Sequence, residues 1–460
     1  MTGSQLATLA ERDQRYSLHP FTQLKEHAES GPFIIERGEG VHVFDDAGRR
    51  YIEGVSGLWC TSLGFSEQRL VDAATRQLTD MPYTHQFSHR ANVPAIELAE
   101  KLVRMAPAGI ERAFFVNSGS EAVDTAIKFA WYYWAAKGRP TKRRFIARRR
   151  AYHGVTVAAG SLTGLAYAQD GFGLPTIPVT HVTPPHAYRE THANESDEDF
   201  ATRLADEIEA AILDAGAENV AGFIAEPVMG AGGVLIPPAG YFEKVQAVLK
   251  RHEVLFIADE VICGFCRTGS MWGSQTYGIR PDIVTSAKQL SSAYQPIGAV
   301  LVTGELYEAF VEQSARLGTF GTGFTYGGHP VACAVALETL RIYESDDVLG
   351  HVQRISPRFT ERLQALQNHP LVGDARSVGL IGAVELVADK ESRTSFPADV
   401  KIAQRVYTAA LEHGLIVRAV PGDAIAFCPP LIIDEAGIDA MFDAVAAALA
   451  DVQREIGGAR

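Results

Sequence analysis

The chain has 460 residues, 47% hydrophobic and 21% charged, a balance that excludes a disordered polypeptide and gives room for two or three domains around a large core. Its formal charge of −13, from 42 basic and 55 acidic residues, argues against general binding to nucleic acid or to anionic membranes. No uncharged apolar run reaches the roughly 18 residues that a membrane-spanning helix requires.

The opening MTGSQLATLAERDQRY has no apolar core behind a basic end, so no signal peptide is expected. Five cysteines (Cys60, Cys263, Cys266, Cys333, Cys428) are too few, and odd in number, for a disulfide framework; a reducing, cytoplasmic compartment is expected. Residues Phe33–Glu53 alternate around turn signals at Gly38, Gly40 and Asp45–Gly48, as a small antiparallel sheet does. Apolar β-rich runs then alternate with helical patterns. The predicted strands are Arg112–Val116, Arg144–Ala147, Gly222–Ala225, Val254–Ala258, Asp282–Thr285 and Gly298–Val302, and the predicted helices between them include Glu121–Lys137, Asp199–Ala215 and Tyr241–Arg251. This pattern predicts a mostly parallel sheet covered on both faces, with its ligand site at the carboxyl ends of the strands. Pro184–Glu198, rich in His, Pro and acidic residues, is expected to be an exposed loop. From about Pro330 long helices mix with short strands, notably Gly382–Leu386 and Leu415–Arg418. The expected organisation is an N-terminal segment 1–60, a large α/β domain 61–330, and a C-terminal part 331–460 that joins the N-terminal segment in one smaller α+β domain.

Three places at predicted strand ends carry chemistry. Asn117-Ser118-Gly119-Ser120-Glu121 opens a helix; Ser118 and Glu121 have the spacing of a capping box, and the same free amides and helix dipole suit an anion such as phosphate. Asp259-Glu260-Val261 follows the apolar Leu255–Ala258; the acids there are helix caps, ion-pair partners, or a partner for a protonated ring nitrogen. Metal is not expected, because no His or Cys ligand spacing accompanies them. Lys288 follows Asp282–Ala287; it is a solvated strand end or, if desolvated, a nucleophile for carbonyls. An anion cradle, a buried acid and a nucleophilic lysine are together what pyridoxal phosphate needs.

With these stretches, and with Tyr152-His153-Gly154, Glu226-Pro227 and Gly323–Pro330, the sequence resembles the class III aminotransferases of the fold type I pyridoxal-phosphate enzymes, and within them the ω-transaminases. The resemblance implies that Lys288 forms the Schiff base with the cofactor and moves the substrate proton, and that Asp259 pairs with the pyridine nitrogen, with Glu226 close behind it. It implies that Ser118, Gly119 and Ser120 hold the phosphate, that Tyr152 stacks on the ring, and that Val261 packs on its other face. Thr325 is implied to reach the phosphate of a partner subunit, so a homodimer with shared sites is expected, dimers of dimers being an alternative. Arg418 corresponds to the arginine that grips a substrate carboxylate, and Trp59, Phe21 and Phe87 correspond to pocket aromatics.

Departures from the family pattern refine this. Ala231 stands where ornithine- and γ-aminobutyrate-specific members carry a glutamate that pairs with the arginine, which implies pyruvate as the acceptor. Gln289 and Ala293 replace usual glycines after the lysine, and Ser88 replaces a second pocket aromatic. Cys263-Gly-Phe-Cys266 has the spacing of a redox pair, but its place after the Asp259 strand suits a buried structural role. Alternatives are another reaction on the same cofactor (aminomutase, racemase or decarboxylase) and a non-catalytic α/β binding protein; a nicotinamide dehydrogenase is disfavoured by the lack of a Gly-x-Gly-x-x-Gly after an early strand.

Overall fold

In the computed structural model, residues 8–458 are described. Strands β1 (Ile35–Glu39), β2 (His42–Asp45) and β3 (Arg50–Glu53) form an antiparallel meander. Seven strands build the central sheet: β4 (Ile110–Val116), β5 (Arg144–Arg148), β6 (Val179–Val182), β7 (Val220–Ala225), β8 (Leu255–Asp259), β9 (Ile283–Ser286) and β10 (Gly298–Thr303). Their order is β4-β10-β9-β8-β7-β5-β6. Strand β10 pairs antiparallel with both β4 and β9, and the other pairings are parallel. Four more strands, β11 (Val372–Val378), β12 (Ile381–Leu386), β14 (Arg418–Val420) and β15 (Ala424–Phe427), make an antiparallel sheet, while β13 (Leu415–Ile416) pairs in parallel with β3.

The sheet is buried on both faces because its strands are apolar at successive positions. All six residues of β7 are buried. On β5 and β7, Phe145, Ala147, Ala221 and Ile224 pack into one core with helix Gly119–Ala136, whereas Ile146, Val220, Phe223 and Ala225 pack into another with helices Asp197–Ala215 and Tyr241–Arg251. Two periodicities meet here: the alternation of a strand sends neighbours to opposite faces, and each helix supplies one apolar stripe. Strand β6 escapes the sequence reading, since Val-Thr-His-Val on a sheet edge is short and only half-buried.

One expectation is corrected. The first half of Pro184–Glu198 is not an exposed loop: Pro184, Pro185 and His186 are buried and Ala187–Glu190 forms a single helical turn. The reason is Glu385 of β12, itself 1% exposed. His186 Nε2 lies 3.0 Å and Arg189 Nε 2.5 Å from its carboxylate, and Arg376 Nη1 lies 3.1 Å away. Arg150 Nη1 meets His186 Nδ1 at 3.1 Å, so Nδ1 accepts and the proton sits on Nε2, facing the acid. A segment that is polar by composition is drawn inward by one buried carboxylate far along the chain.

Burial pushes the Glu385 pKa up, but the imidazole of His186, the charge of Arg376 and the hydrogen bond from Arg189 overcome it and hold the group down at about 2. Its folded value lies below the ordinary glutamate value, so its stabilisation is present above the ordinary range and is lost as pH falls through about 2. Glu385→Gln should cost about 3 kcal/mol at neutral pH. Urea midpoints of the two proteins should converge as pH approaches about 2; a constant gap would contradict the ion-pair account.

Candidate active site

Five chain segments reach one cavity from the carboxyl ends of β4, β5, β7, β8 and β9. The cavity is about 170 Å³, and its lining includes Ser118, Gly119, Ser120, Tyr152, Glu226, Asp259, Val261, Lys288 and Arg418. These are the strand ends at which an open α/β sheet offers its ligand crevice. Antiparallel β10 makes the convergence possible. It begins at Gly298 between the ends of β4 and β9, where a Cβ would lie 2.8 Å from the Ser118 carbonyl and 3.0 Å from that of Ser286. Only glycine lets the three backbones approach so closely.

At the acidic end, Asp259 is 3% exposed. Its Oδ2 meets His153 Nδ1 at 2.7 Å; its Oδ1 accepts from Thr285 Oγ1 at 3.1 Å and from the Val261 amide at 3.2 Å. A carboxylate only accepts, so His153 donates through Nδ1. Glu226 lies behind, accepting from the amides of Tyr152 and Gly230. Burial raises the Glu226 pKa, opposed chiefly by the charge of His153. Glu260, the second acid of the pair, points away: it accepts from the amides of Gly273 and Ser274 and from the Ser274 hydroxyl.

Lys288 starts a tight helical turn, Lys288–Ser291, with φ +46°. The turn is bolted to the acid's own loop, because Gln289 Nε2 donates to the carbonyls of Ile262 and Gly264. This is the work of the glutamine that replaces the usual glycine. The Lys288 amine forms no hydrogen bond or ion pair with the described residues. Burial lowers its pKa, against the opposing charges of Asp259 and Cys60. A lowered value leaves more of the amine unprotonated near neutrality, the form that attacks a carbonyl.

The cradle combines both sequence readings of Ser118–Glu121. Ser118 caps helix Gly119–Ala136 by accepting from the Glu121 amide, and the Glu121 carboxylate accepts from the Asn117 amide. That leaves the amides of Gly119 and Ser120 at the positive end of an 18-residue helix without an intrahelical partner, an anion seat. Gly154 closes over it at φ +124°, where a Cβ would lie 2.7 Å from Ser120 Oγ.

Another wall of the cavity is aromatic. The Phe21 ring sits edge-on to Tyr152 and Tyr167, at 6.3 and 6.1 Å between centroids. Trp59 lines the cavity and is also packed in a core with Val55 and Val420. Its left-handed backbone, φ +62°, is rare for a bulky residue and marks a constrained position. Arg418 opens β14, and its pKa is lowered by burial, offset by Tyr167 and Tyr152. No acidic side chain pairs with it among the described residues; Ala231 lies in the same lining.

Two predicted site residues lie outside this lining. Phe87 and Thr325 are exposed, and Gly323 packs on the Phe87 ring while Tyr83 Oη donates to the Thr325 carbonyl. Tyr167, Leu58, Ile262 and Gly154 line the cavity without having been assigned a role from sequence. Gly154, Ile262 and Leu58 stood in recognisable stretches, beside Tyr152-His153, Asp259–Val261 and Trp59 respectively; Tyr167 did not. Cys263 and Cys266 are buried and free, and burial raises both thiol pKa values, which disfavours the thiolate form.

The donor set fits pyridoxal phosphate. Two uncommitted amides suit its phosphate, a fixed carboxylate acceptor its ring nitrogen, and an unpartnered amine its aldehyde, with Val261 packed 3.1 Å from where a Gly119 Cβ would stand.

Comparison with known proteins agrees. The family model for aminotransferase class-III matches residues 24–449. Gamma aminobutyrate transaminase 1, mitochondrial, of Solanum lycopersicum is 48% identical over 440 residues, covering 95% of this chain and 85% of the relative. The ω-transaminase of Pseudomonas jessenii in complex with PMP superposes with a TM-score of 0.96 at 50% identity, covering 98% of this chain and 99% of that one. A transaminase solved with L-Ala has a TM-score of 0.90 at 52% identity over 92% of this chain and all of its own.

Gly154→Ala should drive a methyl into Ser120 and lower affinity for a phosphate-bearing cofactor about tenfold or more, a loss on the order of 1–3 kcal/mol for strain and displacement. Gly171→Ala, also at positive φ but with open space around it, should leave that affinity unchanged. Equal affinities for the two variants would detach Gly154 from the cradle.

Proposed function

The chain belongs to the class III aminotransferases, and from that premise we propose that it is an ω-transaminase, carrying the amino group of a primary amine or ω-amino acid to a keto acid, with pyruvate as the acceptor. The family decides between the sequence-level alternatives in favour of amino-group transfer. The observation that carries the finer reading is Arg418, a half-buried guanidinium with no acidic partner among the described residues, in a wall otherwise made of Phe21, Leu58, Trp59, Tyr152 and Tyr167. Pyruvate has one carboxylate for that one guanidinium. 2-Oxoglutarate brings a second carboxylate into an apolar wall, where an unpaired charge is costly. γ-Aminobutyrate, the donor in the tomato relative's name, falls within the proposed donor class.

Pyridoxal phosphate, the family's cofactor, supplies the carbonyl that receives the amino group and a ring that withdraws electrons when its nitrogen is protonated. In this reading Asp259 would pair with that nitrogen, and His153 and Thr285 hold Asp259 in place. Amides of Gly119 and Ser120, with the Ser118 and Ser120 hydroxyls, would hold the phosphate, and Tyr152 and Val261 would pack on the ring. Lys288 would hold the cofactor's aldehyde carbon, and its desolvated amine is the group placed in the cavity to take a proton from the substrate carbon and to give it back.

A homodimer belongs to the same proposal. Thr325 lies beside exposed Tyr83, Phe87 and Tyr326, an apolar patch of the kind subunit contacts cover, so Thr325 would serve a neighbouring subunit's phosphate and Phe87 its substrate wall. A tetramer of two such dimers is the alternative assembly. All five cysteines are free, which supports a reducing compartment and, with it, the cytoplasm.

Lys288→Ala should keep the cofactor noncovalently and lose about 10³-fold or more in turnover; near-normal activity would refute its role. Asp259→Asn should weaken cofactor binding and slow proton abstraction together, and a variant with both unchanged would remove Asp259 from the chemistry. With a fixed amine donor, initial rates should favour pyruvate over 2-oxoglutarate. A clear preference for 2-oxoglutarate would overturn the acceptor assignment and leave the family intact.

A further inference from the structure

The N-terminal hairpin has a polar centre that the reaction does not use. Helices Leu9–Tyr16 and Leu24–Ser30 pack side by side, yet neither buries a single residue. Their link is polar. Asp13 Oδ2 lies 2.8 Å from His19 Nε2 and 3.1 Å from His27 Nε2, and Gln14 Nε2 donates to the carbonyls of His27 and Ala28. The two imidazoles stand 4.1 Å apart between centroids and 34° from parallel, so both Nε2 atoms converge on one carboxylate. The His27 side chain is 12% exposed and that of Asp13 23%.

His19 Nε2 also lies 3.0 Å from Asp13 Oδ1, so its ring straddles the carboxylate. The spacing of these donor atoms matches the edges of a coordination polyhedron. Metal–ligand bonds of ~2.0–2.1 Å put neighbouring ligands of a tetrahedral ion roughly 3.3 Å apart, close to the separations observed, and the three donor atoms lie within 4.8 Å of one another. Asp13, His19 and His27 are the only such group among the described residues. We propose that Asp13, His19 and His27 bind a divalent transition-metal ion of the zinc type, which staples a coreless hairpin over the mouth of the active site. Two imidazoles and one carboxylate select such an ion over calcium or magnesium, which prefer oxygen donors. Both Nε2 atoms give up their hydrogens to bind, the remaining ring protons staying on Nδ1, and the partly exposed His19 leaves the fourth position to water.

The site differs from the doublet Asp259-Glu260, where the sequence gives no reason to expect a metal. Its sequence signal is weak: Asp13, His19 and His27 are spaced unlike a ligand pair on one helix, and only the hairpin turn unites them. The turn carries Phe21 at φ +50°, and this ring forms the edge of the substrate wall against Tyr152 and Tyr167. A small unit without an apolar core gains most from a metal, because binding energy becomes folding energy. Beyond the hairpin, Lys401 pairs with Glu26 across an exposed surface at 2.6 Å, a weak tether.

The test uses the holoenzyme, freed of metals on a chelating resin and titrated calorimetrically with zinc chloride. One ion per chain is expected, and trypsin cleavage at Arg15 and Lys25 should slow by about tenfold on saturation. His27→Ala should lose both effects. Asp13→Asn keeps a side chain that accepts hydrogen bonds from the imidazoles, so the hairpin stays formed; it should weaken zinc binding about tenfold or more with cofactor absorbance unchanged. Absence of saturable binding, or equal binding by wild type and both variants, overturns the proposal. Zinc binding that persists in the variants without slowing trypsin places the ion elsewhere and overturns it too.

Discussion

The site depends on one buried negative charge being satisfied where a strand ends. Asp259 sits at the tip of β8 with almost no exposure, and three donors from three segments close around it: His153 after β5, Thr285 on β9, and its own loop at Val261. An unpaired carboxylate there would cost several kcal/mol. The same contacts that prevent the cost fix the relative positions of β5, β8 and β9. Fold and chemistry thus share a single requirement, and the sheet cannot relax at this point without exposing or orphaning the charge.

Around that acid the protein sorts its groups by rigidity. The lysine turn is locked through Gln289 to the carbonyls after Asp259, and the anion seat is the first turn of a long helix capped on both sides by Ser118 and Glu121. The aromatic wall of the cavity is built differently. Its rings come from the N-terminal hairpin, from the left-handed turn at Trp59 and from the short 3-10 turn at Tyr167, and its cation from the opening of β14. Preorganised polar groups lie on sheet and helix, and shape-determining groups on connections, the division expected where chemistry is fixed and specificity is local.

Much of this was legible in the sequence because its signals are local. Six central strands show as apolar runs, and the helix at Tyr241–Arg251 is read with its observed ends, since burial on both sheet faces and one-sided burial of helices leave distinct periodicities. Lys288, Asp259 and Ser118–Ser120 could be found because each sits where an apolar run stops. Long-range partners could not be found that way. The polar segment at Pro184 is buried because Glu385, two hundred positions on, needs its histidine and arginine. Tyr167 enters the cavity from a single 3-10 turn, Ala166–Ala168, too short to show a periodicity, and β6 is too short and too exposed to stand out. Phe87 and Thr325 lie outside the cavity lining of their own chain; for Thr325 the resemblance already implied a role toward a partner subunit, whereas Phe87 was placed only as a pocket aromatic.

The separation between frame and wall has a consequence for how such a protein changes over time. Phe21, Leu58, Trp59 and Tyr167 touch the cavity without touching Asp259, His153 or the lysine turn by hydrogen bond. Exchanges at Phe21, Leu58 and Tyr167, all largely exposed, alter the shape offered to an incoming molecule while leaving the hydrogen bonds around Asp259 in register. Diversification is cheap on one side of the cleft and forbidden on the other.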